Sequence, residues 1–245
     1  MGEALIFNRH NISGGGGNDD EEFIKIVEGG ATSITLPDDI TKIRDFAFYQ
    51  ETNLQTINLP STLVSTGTQA FDGCSNLLLT SLPSGMTSIG YACFQNCTQL
   101  TWTSLPNNLT EIQNGSFQNC TNLALTSLPI GITSIGTYAF FNCAKLALTS
   151  LPSRLTNIAE RAFYGCKNLA LTSLPSGITS IGKYVFGECT NLTTITFEGT
   201  PNSIISNAFY GCNNIRTIRV PWTSGAVANA PWGATNATIV YNYSA

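Results

Sequence analysis

The groups in this sequence able to make and break bonds are few: one histidine (His10), eight cysteines and fifteen Asp+Glu. Nucleophilic hydrolysis of the Ser–His–Asp kind needs the histidine beside a nucleophile and a carboxylate. His10 stands before Gly14-Gly15-Gly16-Gly17, a run that reads as flexible coil, and so outside any packed body. Glycoside hydrolysis needs two carboxylates facing each other across the scissile bond, whereas Asp38 and Asp39 share one turn. The glycine run has neither the Lys-Ser/Thr nor the strand–turn–helix context of a phosphate loop. These residues point to a protein that is not an enzyme, with no catalytic residues, no metal and no cofactor.

The cysteines look at first like a disulfide framework. Their spacing says otherwise. Cys74, Cys97, Cys120, Cys143, Cys166, Cys189 and Cys212 follow one another at 23 residues, and Cys93 fills a slot held elsewhere by Ala70, Ala139, Ala162 and Ala208. Thiols at equivalent positions of successive units point the same way, so the expectation is a buried, reduced column of small hydrophobes. Zinc would need two converging pairs, and Cys93 with Cys97 has no second pair.

The elements that position these residues are repeats. Pro37, Pro60, Pro83, Pro106, Pro129, Pro152 and Pro175 keep the same 23-residue step, as do Phe48, Phe71, Phe94, Phe117, Phe140, Phe163, Phe186 and Phe209. Leu36, Leu59, Leu82, Leu105, Leu128, Leu151 and Leu174 precede the prolines, followed in register by Phe197 and Val220. In the unit Ser173 to Leu192, the stretch ending at the leucine reads as a short strand that proline terminates. Ile178 and Ile181 point inward, Gly182 is expected at a positive-φ turn, and Val185-Phe186 form a tight turn or short helix. One such unit cannot cover its apolar side alone; stacking on both neighbours can. At the ~4.8 Å separation of neighbouring strands, nine units make a rod of roughly 40 Å.

The pattern L-P-x-x-I-x-x-I followed by F-x-x-C-x-x-L resembles the BspA-like, or Treponema-type, leucine-rich repeats over residues 30 to 221. The resemblance implies a right-handed horseshoe or rod of eight to nine repeats, with a parallel β-sheet on the concave face. Turns, 3-10 or α segments would lie on the other side, with a cap at each end. It also implies an extracellular, cell-surface or virion-associated protein that binds host or matrix components. Residues 1–22 are expected as a flexible N-terminal segment with its glycine linker. Residues 23–221 form the solenoid, with Phe23, Ile24, Ile26 and Val27 covering its start. Residues 222–245 form a C-terminal cap in which Trp222 and Trp232 are a hydrophobic cover rather than a ligand platform.

Composition narrows the partners. Charged residues make up 11% of the chain, against roughly 25% in an average soluble protein. Eleven Lys+Arg against fifteen Asp+Glu gives a net charge of −4, so no basic field exists to hold a phosphate backbone. No apolar run approaches the ~20 residues of a membrane helix, and Met1 to Ser13, with Glu3 early and only Ala4 to Phe7 apolar, does not read as a signal peptide. The Asn-x-Ser/Thr matches at Asn96, Asn119 and Asn236 are by-products of the repeat.

A binding surface is sought on the strands before the prolines. In the outer repeats Ile34/Leu36, Ile57/Leu59, Ile195/Phe197 and Ile218/Val220 alternate with Ser33, Thr35, Thr56, Asn58, Thr194 and Thr196. The middle repeats instead place Thr80, Thr103, Thr126, Thr149 and Thr172 three before proline, and Leu79, Trp102, Leu125, Leu148 and Leu171 four before. Two readings stand open. A bulged strand path turns the leucines inward and presents the threonines. An unchanged register presents Leu79, Trp102, Leu125, Leu148 and Leu171 as an exposed apolar stripe, with Ser81, Ser104, Ser127, Ser150 and Ser173 supplying hydroxyls. A second face carries Tyr49, Phe141, Tyr164 and Tyr210, interrupted by Asp72, Gln95, Gln118 and Gly187. The functional expectation is a non-catalytic adhesion module recognising protein or glycan. The alternative is a structural or receptor-binding part of a phage-like particle or surface appendage, attached through residues 1 to 13.

Overall fold

The computed structural model describes residues 30–244 and the strand Leu5–Ile6. His10, Gly14 to Gly17, Asp19 to Glu22 and the expected cover Phe23, Ile24, Ile26 and Val27 lie outside the described residues. The chain winds as a parallel β-solenoid of about nine turns. Its strands are β1 (Leu5–Ile6), β2 (Ser33–Thr35), β3 (Lys42–Ile43), β4 (Thr56–Asn58), β5 (Ser65–Thr66), β6 (Glu111–Ile112) and β7 (Ser134–Ile135). Then come β8 (Asn157–Ile158), β9 (Ser173–Leu174), β10 (Ser180–Ile181), β11 (Thr194–Phe197), β12 (Ser203–Ile204), β13 (Thr217–Arg219) and β14 (Thr238–Val240). Among the described residues there is no helix, so Val185-Phe186 lies in a turn.

Where one parallel sheet is expected, two ladders run along the rod. The first, just before the proline slot, holds β1-β2-β4 and β9-β11-β13-β14; the second, just after it, holds β3-β5 and β6-β7-β8-β10-β12. Within the repeats the partners are sequence equivalents: Ser33 faces Thr56, Ser180 faces Ser203, and Thr194 faces Thr217. Strands stay this short because proline cannot donate into the first ladder and the chain must turn immediately after the second.

The turn side replaces a helix with two left-handed residues per coil. One slot holds Gln50, Gly73, Asn96, Asn119, Asn142, Gly165, Glu188 and Gly211; the other holds Phe46, Gln69, Ala92, Gly115, Tyr138, Arg161 and Tyr184, all with positive φ. These kinks aim amides and carbonyls along the rod axis. Phe117 N–H donates to Ala139 at 2.9 Å, Phe140 to Ala162 at 2.8 Å and Asn119 to Phe141 at 2.7 Å, each reaching the next coil. The backbone is thus satisfied without helix or sheet. Gly182 is not among the left-handed residues. Its requirement is space, since a Cβ there would come within 2.7 Å of the Glu160 amide nitrogen.

The interior is built of columns. Phe48, Phe71, Phe94, Phe117, Phe140, Phe163, Phe186 and Phe209 are buried, with successive centroids 5.0–6.0 Å apart and planes within 18° of parallel. That separation lies in the favourable range for aromatic pairs. Trp232 occupies the slot that follows Phe209, and its carbonyl accepts the Phe209 amide at 2.9 Å. With Trp222 it packs against Phe197, at centroid distances of 5.9 and 5.2 Å. Both indoles are buried, and Trp232 Nε1 donates to the Ala228 carbonyl at 2.7 Å.

Candidate functional site

The strand side changes character along the rod. In the outer coils Ile34, Leu36, Ile57, Ile195, Phe197, Ile218 and Val220 are buried, while Thr35, Thr56 and Asn58 are exposed. This is the alternation of a half-buried strand. The middle coils break it. Leu79 is 9% exposed, Trp102 and Leu171 2%, and Leu125 and Leu148 are fully enclosed. The exposed stripe of five large apolar side chains is therefore corrected: all five point inward. Their inward partners are Leu82, Leu105, Leu128, Leu151 and Leu174, so two outward residues stand between the inward ones instead of one. Regular pairing is lost over most of these coils: no strand forms between β5 and β6 or just before Pro129 and Pro152, and only β9, beside the regular β11, stays paired. Staggered bonds hold the coils instead, such as Ala124 N–H to Trp102 at 3.1 Å and Ala170 N–H to Leu148 at 3.0 Å. Burying a Leu-sized side chain gains about 1.5–3 kcal/mol, whereas a backbone hydrogen bond contributes about 0.5–1.5 kcal/mol net.

Trp102 is the bolt of this region. Its ring meets Phe94 and Phe117 edge-on, at centroid distances of 5.0 and 6.1 Å. Its Nε1 donates to the Leu79 carbonyl of the preceding coil at 2.6 Å. The indole is thus fully spoken for and offers nothing to a ligand.

Two columns of hydroxyls face solvent instead. Thr80, Thr103, Thr126, Thr149 and Thr172 are exposed, as are Ser81, Ser104, Ser127 and Ser150 beside them. Ser173 is half-buried and donates to Glu198 at 2.6 Å. Where β4 meets the first rearranged coil, the two chain paths leave a hollow of about 310 Å³ between Ile57–Ser61 and Leu79–Ser84.

On the turn side Tyr49 and Tyr210 are exposed, and Phe141 and Tyr164 are half-buried. Asp72 and Gly187 are buried. The face is less scattered than its sequence slot suggests, because Tyr138 and Tyr184, from the neighbouring slot, fill the gaps. Phe141 stacks on Tyr164 at 5.3 Å, while Tyr184 meets Tyr164 at 6.5 Å and Tyr210 at 5.6 Å. Tyr164 donates to Glu188 at 2.6 Å, and that bond pushes its hydroxyl up to about 12.

The cysteines are all free and buried. Each of the seven in the column donates through Sγ to a phenylalanine carbonyl of the preceding coil, from Cys74 to Phe48 at 3.0 Å through to Cys212 to Phe186 at 2.8 Å. Cys93 bonds Thr66 Oγ1 at 3.1 Å. Burial is the main cause that raises every one of these thiols, Cys93 and Cys212 to about 12. Such thiols are poor nucleophiles. Among the described residues no group of three or more His, Cys, Asp or Glu side chains could hold a metal ion. No helix among them is long and apolar enough to cross a membrane.

Comparison with known proteins agrees with this architecture. The family model described as "BspA type Leucine rich repeat region" matches in six copies, over residues 28–147 and 115–230. A leucine-rich repeat protein of Bacteroides ovatus is 24% identical over 86% of this chain, with a TM-score of 0.62; the chain spans 61% of that structure. A leucine rich cell surface protein of Faecalibacterium prausnitzii is 22% identical, covering 87% of this chain and 80% of that one, with a TM-score of 0.56. The T. pallidum leucine rich repeat protein is 27% identical, covering 76% and 79%, with a TM-score of 0.50. A search of curated proteins returned no match.

Proposed function

Starting from a chain that belongs to the BspA-type leucine-rich repeat family, we propose that it is a non-catalytic binding module for protein or glycan on another surface, engaged through the paired Thr and Ser columns of the middle coils. One observation carries this reading: Thr80, Thr103, Thr126, Thr149 and Thr172 are all exposed while the large residue directly before each, Leu79, Trp102, Leu125, Leu148 and Leu171, is turned inward. The result is a neutral array of donors and acceptors on a backbone fixed by its neighbours. Threonine is stiff at χ1, so little side-chain freedom is lost on contact. Surface display is supported by the description of the Faecalibacterium relative as a cell surface protein. Attachment to a phage-like particle through the N-terminal segment is placed second, because Leu5–Ile6 pairs with β2 of its own chain.

The test is a pair of variants, Thr103→Arg and Thr126→Arg, measured by surface plasmon resonance against immobilised mucin and a panel of matrix proteins. The expected result is binding by the parent chain and a loss of at least about tenfold in each variant, with thermal unfolding unchanged. Equal binding by parent and both variants overturns the assignment to this face.

A further inference from the structure

We propose that the turn side between Tyr138 and Thr235 is a carbohydrate site, taking a neutral polysaccharide whose sugar rings lie against Tyr210 and its neighbouring aromatics. This site lies on a different side of the coil from the Thr and Ser columns and does not depend on them.

Three observations converge there. The first is a continuous aromatic floor. Tyr138 meets Phe141 at 5.3 Å, Phe141 stacks on Tyr164, and Tyr184 bridges Tyr164 to Tyr210, which is 52% exposed. The first coil carries a separate pair, Phe46 and Tyr49, at 5.8 Å, and the next three coils carry Gln69, Asp72, Ala92, Gln95, Gly115 and Gln118 in these slots, so the continuous floor is confined to the later part of the rod.

The second is that polar partners fix the rings in place. Arg161 lies between Tyr138 and Tyr184, with its guanidinium carbon 5.6 and 5.0 Å from their centroids, and donates to the Tyr138 hydroxyl at 2.8 Å. Tyr164 is tied to Glu188, and Asn207 donates to the Tyr184 hydroxyl at 3.4 Å. Rings held this way lose little freedom when a ligand arrives.

The third is a hollow of about 490 Å³ against Tyr210, lined by Lys167, Glu188, Thr190, Asn213 and Thr235 together with Gly211 and Gly233. The phenylalanine and tyrosine slot of this coil is occupied by Gly187, where a Cβ would come within 2.5 Å of the Tyr164 ring. Gly187 thus lets the Tyr164 ring pack directly on the backbone of the next coil, while the hollow lies against the exposed Tyr210 ring.

The chemistry of the lining selects the ligand. A wholly apolar partner would strip water from Glu188, Lys167, Asn213 and the two threonines without replacing their hydrogen bonds. A strongly charged one finds both signs interspersed, with Lys167 and Lys183 near Glu188 and Arg161 already paired with Glu160. A pyranose meets both demands. Its C–H face carries slight positive charge and rests on the negative face of a tyrosine, while its hydroxyls donate to and accept from the Asn, Thr and Glu side chains. The floor crosses four successive coils, from Tyr138 to Tyr210, which suits a chain of sugars over a single one.

Affinity electrophoresis of the full chain through gels containing xylan, galactomannan, a β-glucan or, as the charged comparison, heparin reads the outcome. Retardation by at least one neutral polysaccharide is expected, lowered at least tenfold in Tyr210→Ala and in Asn213→Ala, and retained in Tyr49→Ala and Thr103→Arg. Circular dichroism confirms that each variant is folded. Retardation by heparin alone, by none of the four, or undiminished in the Tyr210→Ala/Asn213→Ala double variant overturns the proposal. Loss in Thr103→Arg with retention in Tyr210→Ala also overturns it and moves the glycan to the hydroxyl columns.

Discussion

Each columnar thiol closes a hydrogen bond to the coil before it and sits where water cannot reach, and this makes the fold sensitive to alkali. An unfolded thiol titrates near pH 8.5, whereas the folded ones hold their protons to much higher pH. Their contribution is therefore fully present below about pH 8.5 and declines as pH rises, because the unfolded chain releases protons that the folded chain retains. One unit above that point each thiol forfeits on the order of 1 kcal/mol, and eight together forfeit on the order of 10 kcal/mol, comparable with the whole stability of a domain. Thermal unfolding followed from pH 7 to 10.5 should show Tm falling steeply above pH 9; a flat profile contradicts the buried column. Cutting Phe140 to alanine in the middle of the ring stack should cost about 3–5 kcal/mol, measured by urea unfolding. The columns of Phe and Cys were legible in the sequence because a fixed 23-residue step leaves no choice of side. Trp102 was not. The sequence left two readings open, and burial of Leu79, Trp102, Leu125, Leu148 and Leu171 decides for the bulged path that turns them inward.

At the scale of the coil, the turn side is set by backbone conformation more than by side-chain burial. A non-glycine residue in the left-handed region costs roughly 1–2 kcal/mol, and asparagine tolerates it best. Asn119 sits there with φ 60 and links its neighbours, donating to Asn96 at 2.9 Å and accepting from Asn142 at 3.3 Å. Asn119→Val should destabilise by about 2–3 kcal/mol through both conformation and lost bonds, and Asn119→Gly by clearly less; denaturant midpoints of the two variants compare them directly. Sequence revealed the first strand of the outer coils, such as β2, β4 and β11, but also pointed to one before Pro83, Pro106, Pro129 and Pro152, where none forms. It concealed the second ladder, since strands of two residues such as β7 and β8 are too short to show alternation. It also concealed why Gly182 recurs in register with Gly67, Gly90 and Gly136: spacing marks a position that needs glycine, but not whether the need is a torsion or room beside Glu160. The sequence showed Phe141, Tyr164 and Tyr210 as an interrupted face and concealed its continuity, because Tyr138 and Tyr184 come from a second slot three residues earlier.

For the molecule as a whole, every coil leans only on the coils beside it, so stability accumulates by neighbours and register matters more than length. Deleting residues 118–140, one full period, should leave a folded rod shortened by a coil, with Tm lower by a few degrees. Deleting 118–137 instead misaligns the columns and should leave the chain largely unfolded; circular dichroism melts separate the two outcomes. The same parallel winding, with its hydrogen bonds directed along the rod, dictates a response to mechanical load. Pulled from opposite ends, the rod does not shear as a unit. It surrenders one turn after another, each paying out about 75–80 Å of slack as a ring leaves the stack, and a tethered molecule of this kind behaves as a spool that absorbs a tug before passing it on.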